Sequence, residues 1–473
     1  MRVTVVGSGY VGLVASACLA NLGHDVNCVD HDAAKIKTLL AGDVPIYEPG
    51  LDTLIAAAVR DGKLTFGTSL KAAMKGAEIA FIAVGTPDRK DDGKPDLTNV
   101  YAVAGQIGDV LTSHCVVVNK STVPVGTGDV VEKILSERCS RSLFDVVSNP
   151  EFLREGHAID DFNKPDRIVV GVETEKARAV MAQLYSPDQF GEAPTLYTRR
   201  RTAELMKYAA NAFLAAKVAF INDIAELCEH VGANVDHVSQ GMGLDVRIGK
   251  EFLRPGPGFG GSCLPKDTRA LVRAARECGA PSTLFNAIVH ANESRKRDLA
   301  YRVMAALGGS VAGRVIALLG LTFKANTDDM RESPALALIK GLQDQDAKVR
   351  AYDPAGMANA SRMVDGVSFA GSPYDCVEGA SAIVLVTDWP EFKNLDLSRM
   401  RDSAAEPIIL DLRNLYNSLE MQEGGWTYFG TGREVSPSGL EDIKEFRASR
   451  IANISIVRNG HAMADVQPAE PAE

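Results

Sequence analysis

The chain has 473 residues, 46% of them apolar and 24% charged, and its 51 basic and 61 acidic side chains leave a formal net charge of -10. Such a length calls for two or three domains, and the interspersed charges offer no surface suited to a polyanion, so nucleic acid is not an expected partner. The eight cysteines (18, 28, 115, 139, 228, 263, 278 and 376) form no C-x-x-C pair, so neither a disulfide framework nor a metal site is expected; no apolar run is long enough to span a membrane, and a soluble cytoplasmic protein is expected.

Short β-branched runs at Val3 to Val6, Val26 to Val29, Ile79 to Val84, Val116 to Val118, Asp145 to Val147 and Ile168 to Val172 alternate with alanine-rich helical stretches. That alternation predicts a parallel α/β sheet covered on both faces. The first run leads into Gly7-Ser8-Gly9-Tyr10-Val11-Gly12 and a helix, and the second ends at Asp30, which is a dinucleotide fingerprint in its proper setting. Gly7 permits the tight turn, Gly9 lets the backbone approach a pyrophosphate, and Gly12 lets helix and strand pack. Asp30 would repel a 2′-phosphate and so favours NAD over NADP.

Thr86, in Gly85-Thr86-Pro87, and Thr122, in Ser121-Thr122-Val123-Pro124, follow the third and fourth runs, at the sheet edge where ligands bind. Glu151 and Glu155 follow the fifth. Spaced i and i+4, they would share one face of a helical turn and divide acid-base and binding work.

From about Arg201 one long alanine-rich helix runs to Gly232, with apolar residues on more than one face, as expected of a segment that bridges domains or forms a dimer core. Lys207 and Asn211 share a face of it, where a lysine and an amide could stabilise an oxyanion. In Phe259 to Asp267, reading FGGSCLPKD, Cys263 lies just ahead of a helix that starts at Pro265 and ends before Gly279. The free N–H groups of that first turn are expected to lower the thiol pKa and make it a nucleophile. Asp267, one turn on, can reach the same spot. Packing as a small buried hydrophobe is the rival reading of this thiol.

A second α/β series follows at Val315 to Leu319, Val349 to Tyr352, Ile383 to Val386 and Ile408 to Leu410, and the Pro-, Ala- and Glu-rich end predicts a disordered tail over 441–473.

Seven motifs occur in one order: GSGYVG, PIYEPGL (45 to 51), STVPVG (121 to 126), NPEFLREG, KYAANAF, FGGSCLPKD and FKANTDDMRES (323 to 333). Through them the chain resembles the UDP-glucose/GDP-mannose dehydrogenase family of nucleotide-sugar dehydrogenases. The resemblance implies two Rossmann-like doubly wound parallel-sheet domains joined by a long central helix: an NAD-binding domain over 1–200, a helical dimerisation domain over 201–300 and a UDP-sugar-binding α/β domain over 301–440. It implies oxidation of a sugar C6 alcohol to a carboxylate with two NAD, through a thiohemiacetal and a thioester on Cys263.

Carried over by residue, Lys207 and Asn211 would touch the substrate and hold the oxyanion, with Asp267 beside the thiol. Glu151 would act as acid or base, Thr122 would order the hydrolytic water, and Glu155 would lie between sugar and nicotinamide. NAD contacts would fall on Val11, Asp30, Lys35, Thr86, Thr122, Glu155, Lys266 and Arg331. Sugar-nucleotide contacts would fall on Glu151, Phe152, Leu153, Arg154, Glu155, Phe252, Leu253, Arg254, Pro255, Gly256, Gly260, Lys324 and Arg413. Arg247 would enter the neighbouring subunit's site in a homodimer or higher homo-oligomer. UDP-glucose is the expected substrate. GDP-mannose and UDP-N-acetylmannosamine are its rivals, the former kept open by Leu264, where many relatives carry an aromatic. A noncatalytic NAD-binding redox sensor is the alternative outside the enzymes.

Overall fold

A computed structural model describes residues 1–89 and 93–433, so the expected tail over 441–473 lies outside the described residues. The chain divides into two units. Among the described residues the first comprises Met1–Ala216, Ser262–Val289 and Ala325–Asp328; the second comprises Lys217–Gly261, His290–Lys324 and 329–433.

The first unit holds an eight-stranded sheet: β1 (Arg2–Val6), β2 (Asp25–Val29), β3 (Leu64–Gly67), β4 (Ile79–Ile82), β5 (Cys115–Asn119), β6 (Phe144–Ser148), β7 (Ile168–Gly171) and β8 (Thr195–Thr198). Their order is β3-β2-β1-β4-β5-β6-β7-β8. Residues along these strands alternate between two cores: Val3, Val5, Ile79, Phe81, Val116 and Val118 enter one, and Val6, Ala80, Ile82, Cys115 and Val117 the other. Two apolar faces, each covered by helices, are why these runs read as continuous hydrophobic stretches.

The sheet departs from the expectation in two places. β7 pairs with β6 antiparallel, Ser148 opposite Gly171, while β7 and β8 are mutually parallel. Strands β3 and β8 went unforeseen, because four residues apiece, all but Leu64 at least partly exposed, carry too little periodicity.

The second unit repeats the pattern with six parallel strands: β9 (Val315–Leu319), β10 (Lys348–Tyr352), β11 (Val367–Phe369), β12 (Ala382–Leu385), β13 (Ile408–Asp411) and β14 (Thr427–Gly430), in the order β11-β10-β9-β12-β13-β14. Each sheet thus reverses its strand order beside its first strand, β1 or β9, the switch point where doubly wound sheets open a crevice.

The central helix spans Arg200–Val231, and the chain passes from the first unit to the second within it, after Ala216. Ala203, Tyr208, Ala212 and Ala215 are buried, whereas Phe213, Phe220, Leu227 and Val231 stay exposed. The helix Leu264–Glu277 has Cys263 as its N-cap, so Pro265 stands second in it rather than first; Gly279, left-handed at φ +72, follows its last turn.

Two glycines of the first turn face different neighbours. A Cβ on Gly12 would lie 1.9 Å from the Gly7 carbonyl oxygen, whereas one on Gly9 would meet nothing within 4 Å. Backbone cannot yield as a side chain does, so Gly12→Ala is expected to lower the unfolding free energy by about 3 kcal/mol. Gly9→Ala should cost about 1 kcal/mol or less. Urea denaturation of both variants checks the contrast.

Candidate functional site

The turn after β1 has the shape a dinucleotide needs. Gly7 stands at φ +112, and a Cβ there would strike the Ala83 carbonyl at 2.6 Å, while Gly9 leaves open space beside the start of the helix Tyr10–Asn21. Asp30, at the end of β2, accepts from Ser8 N and Ser8 Oγ on one oxygen, both at 2.7 Å, and from Asp32 N at 3.0 Å on the other. Burial works to raise its pKa, but these bonds and nearby Lys35 outweigh it and hold the carboxyl below its ordinary value. A fixed anion at this position suits a ribose hydroxyl and opposes a phosphate. Val11 is partly buried in the turn, and Lys35 is exposed on the helix Ala33–Leu40. Thr86 and Thr122 meet across the ends of β4 and β5, Thr86 Oγ1 donating to the Thr122 carbonyl at 2.9 Å.

The expected chemical residues converge within the same unit. Lys207 Nζ and Glu151 Oε1 lie 3.0 Å apart, both nearly excluded from water. One turn along the helix, Asn211 Nδ2 donates to Asp267 Oδ2 at 2.6 Å. The other Asp267 oxygen lies 3.0 Å from Lys266 Nζ, in an ion pair too poorly aligned to count as a hydrogen bond. Cys263 sits among them, with Ser262 Oγ 3.4 Å from its Sγ and 3.2 Å from Glu155 Oε1.

The thiol does not behave as expected. Burial pushes its pKa up, and Glu151 and Asp267 push the same way, outweighing Lys207 and the Ser262 hydroxyl. The helix N-terminus is present, but desolvation of a thiolate beside two carboxylates dominates. Lys207 is held in the opposite sense: burial lowers its pKa, yet Glu151, Cys263 and Asp267 together raise it, so the ammonium persists.

Glu151 and Glu155 are not on a helical turn, as their spacing predicted, but in an irregular loop. Glu151 Oε2 turns back to accept from Leu153 N at 2.6 Å, and Gly156 takes a left-handed φ of +80. The two carboxylates therefore address different neighbours, Lys207 and Ser262. In the same loop Phe152 lies under the Arg167 guanidinium at 3.8 Å and the Lys207 ammonium at 5.3 Å, Leu153 is partly buried, and Arg154 forks onto Asp161.

Two buried charges escaped the sequence reading. Lys120 Nζ donates to Asn149 Oδ1 at 3.0 Å and to Tyr185 Oη at 3.4 Å. Glu204 caps the helix Thr127–Ser136, accepting from Gly126 N at 2.7 Å and Gly128 N at 2.9 Å, and also from Ser148 Oγ at 2.8 Å. With Thr122 and Lys207, Glu204 lines a narrow pocket. Lys120 abuts STVPVG and Glu204 lies three residues before Lys207, so adjacency to a motif was the available signal.

The second unit carries the remaining residues. Arg254 reaches Asp388 at 2.9 Å and the Arg413 carbonyl at 2.8 Å; Arg413 in turn donates to the carbonyls of Val386 and Phe323. Gly256 N donates to Asn222 Oδ1, and a Cβ on Gly256 would stand 3.1 Å from Arg413. Leu253 and Pro255 are buried, and Phe252 adopts φ +63. Gly260 passes so close to the Glu332 carbonyl that a Cβ would approach it to 2.4 Å, and Lys324 lies over the Phe323 ring. Arg331 forks onto Asp329, and Arg247, highly exposed, onto Asp245. Among the described residues no group of His, Cys, Asp or Glu could hold a metal ion, and no helix is long and apolar enough to cross a membrane.

Three domains of the UDP-glucose/GDP-mannose dehydrogenase family match the chain in order: the NAD binding domain over residues 1–189, the central domain over 201–294 and the UDP binding domain over 317–418. The UDP-glucose 6-dehydrogenase of Rhizobium meliloti is 52% identical over 92% of this chain and 100% of its own. A UDP-glucose dehydrogenase structure from Pyrobaculum islandicum superposes with a TM-score of 0.84 at 36% identity, covering 91% of this chain and 97% of that one. A UDP-D-ManNAc dehydrogenase structure from Pyrococcus horikoshii gives 0.80 at 29% identity, with 92% and 99% covered.

Burial brings the Lys120 ammonium down to about 8 from an ordinary 10.5, with Glu151 supporting its charge and Lys207 opposing it. The folded protein then holds this proton less tightly than the unfolded chain. The cost is complete below pH 8 and fades as pH rises to 10.5, so the unfolding free energy should gain about 3 kcal/mol across that window from this group. Lys120→Met is expected to flatten that gain, which urea midpoints of parent and variant between pH 8 and 10.5 would show.

Proposed function

The chain belongs to the UDP-glucose/GDP-mannose dehydrogenase family, and from that we infer an NAD-dependent oxidoreductase that carries the C6 alcohol of UDP-glucose through two oxidations to UDP-glucuronate. The observation that carries the reading is the convergence of one thiol with Lys207, Asn211, Asp267 and Glu151 in the unit that also holds the dinucleotide turn.

NAD, when bound, supplies the hydride acceptor for both oxidations, and Gly7, Gly9, Val11, Gly12, Asp30, Lys35, Thr86, Thr122, Glu155, Lys266 and Arg331 are the residues proposed to hold it. The chain's own groups manage the oxygen and the protons. The Cys263 thiol, kept protonated at rest, adds across the carbonyl of the C6 aldehyde. Sulfur bonds to carbon, and the thiol proton ends on the oxygen, which the Lys207 ammonium and the Asn211 amide steady as it gains charge. Once that carbon is oxidised to a thioester, water held at Thr122 attacks with Glu151 taking a proton. The C–S bond breaks, and the acid leaves with the thiol restored.

Residues 1–200 are proposed for the NAD work, 201–300 for dimerisation and 301–440 for the UDP-sugar, with Phe252 to Gly256, Gly260, Lys324 and Arg413 as its nucleotide contacts. A cytoplasmic homodimer or larger homo-oligomer is the proposed state, with Arg247 reaching a neighbouring site; the exposed Phe213, Phe220 and Leu227 on the central helix support it.

With limiting UDP-glucose and excess NAD, the expected yield is two NADH per sugar, with GDP-mannose and UDP-N-acetylmannosamine turned over far more slowly. A preference for either rival would overturn the substrate assignment. Cys263→Ala should form no UDP-glucuronate, because the second oxidation needs the sulfur adduct; acid at the parental rate would refute the covalent route.

A further inference from the structure

The PIYEPGL segment identifies the family but has no part in the chemistry above. Its Glu48 is nearly buried, and the donors that reach its carboxylate among the described residues are a phenol and two backbone N–H groups rather than a basic side chain. A carboxylate in that position is costly unless donors surround it. Three do, from two distant stretches of chain. Tyr10 Oη, inside the glycine turn, donates to Glu48 Oε2; Gly156 N donates to the same oxygen at 2.6 Å, and Ala158 N donates to Oε1 at 2.7 Å. Burial and the carboxylate together hold the Tyr10 phenol in its protonated, donating form.

Gly156 is where the loop bearing both glutamates reverses. Its φ is +80, and a Cβ there would stand 2.6 Å from the Asn326 carbonyl, so the turn cannot shift toward that side. The preceding residue, Glu155, accepts from Ser262 Oγ, which lies against the Cys263 sulfur. A single path of hydrogen bonds and adjacent backbone therefore runs Tyr10, Glu48, Gly156, Glu155, Ser262, Cys263.

We propose that Glu48 is a positioning residue that ties the dinucleotide turn to the loop carrying Glu151 and Glu155, and through it sets the surroundings of the Cys263 thiol. A glutamine could fill the space but not the role, because its nitrogen would face one of the two N–H donors. The proposal rests on the dehydrogenase reading for its kinetic consequence, but its effect on the thiol does not depend on the substrate.

The test uses the full chain with Glu48→Gln, Tyr10→Phe and the double variant. Two readouts are taken: kcat and KM for NAD with UDP-glucose, and the rate of Cys263 alkylation by iodoacetamide in the absence of any ligand, followed on the tryptic peptide. Glu48→Gln is expected to lower kcat/KM for NAD about tenfold and Tyr10→Phe about threefold, with the double variant no worse than Glu48→Gln, because both act through one link. Alkylation at fixed pH should quicken about threefold in both single variants, since the one Ser262 hydroxyl proton, no longer committed to Glu155, is free to favour the thiolate. Tyr10→Phe keeps the ring and decides the matter should Glu48→Gln fail to fold. Parental alkylation in a folded single variant, or kinetic losses that multiply in the double variant, would overturn the proposal. A parent inactive on UDP-glucose would instead sink the functional reading, leaving alkylation to judge Glu48 alone.

Discussion

Two charges withdrawn from water, the Lys207 ammonium and the Glu151 carboxylate at 3.0 Å, set the terms for the first unit. Burying either alone costs several kcal/mol, and a buried pair survives only with good geometry and its remaining valences satisfied. That demand reaches far along the chain. The central helix must present Lys207 to the end of β6, Leu153 N must hold the second Glu151 oxygen, and Phe152 must lie where both Arg167 and Lys207 can face its ring. The thiol beside this pair inherits its field. An ammonium would favour the thiolate, but the carboxylates and the dry surroundings favour the thiol, and they prevail. A thiol held in protonated form resists oxidation and alkylation, since both act on the thiolate.

The two sheets share one topology yet put it to different use, and one aspartate in each shows how. Asp30 follows β2 and Asp353 follows β10, corresponding places beside the switch point. Asp353 is wholly buried and accepts from Leu321 N, Thr322 N, Thr322 Oγ1 and Trp389 Nε1 on one oxygen and from Ala355 N and Gly356 N on the other. Asp30 spends one oxygen on Ser8 and keeps the other lightly engaged. The first is a structural clasp. The second retains accepting capacity, so the same fold position is closed by internal bonds in one unit and left partly open in the other.

Sequence made the scaffold legible because it obeys short periods. Runs such as Val116 to Val118 had to be strands with two dry faces, and the glycines at 7, 9 and 12 had to make a turn, one that tolerates no side chain at 7 and 12 where the backbone closes. What escaped depends on company assembled only by folding. The i and i+4 spacing of Glu151 and Glu155 suggested a helical face, but a carboxylate that bonds its own chain two residues on and a left-handed Gly156 prevent that turn. The helix N-terminus beside Cys263 was legible, whereas the burial that opposes it was not. Lys120 gave no sign of being interior, since lysine is almost never fully buried.

One carboxylate supports two buried lysines unequally, and their surroundings decide which gives up its proton first as pH rises. Glu151 supports the charge of both Lys120 and Lys207, and the two repel each other through it. Lys207 touches the carboxylate directly and has Asp267 and the Cys263 sulfur as further support, so its proton stays. Lys120 bonds the neutral oxygens of Asn149 and Tyr185, which offset less of the cost of burying its charge than a touching carboxylate would, and it gives up its proton first. The inequality is useful. The cation beside the thiol is the one that persists, while Lys120 becomes neutral as pH rises. Placing the weaker partners around Lys120 leaves the Glu151 carboxylate in direct contact with the Lys207 ammonium, which is the cation that the thiol feels most strongly.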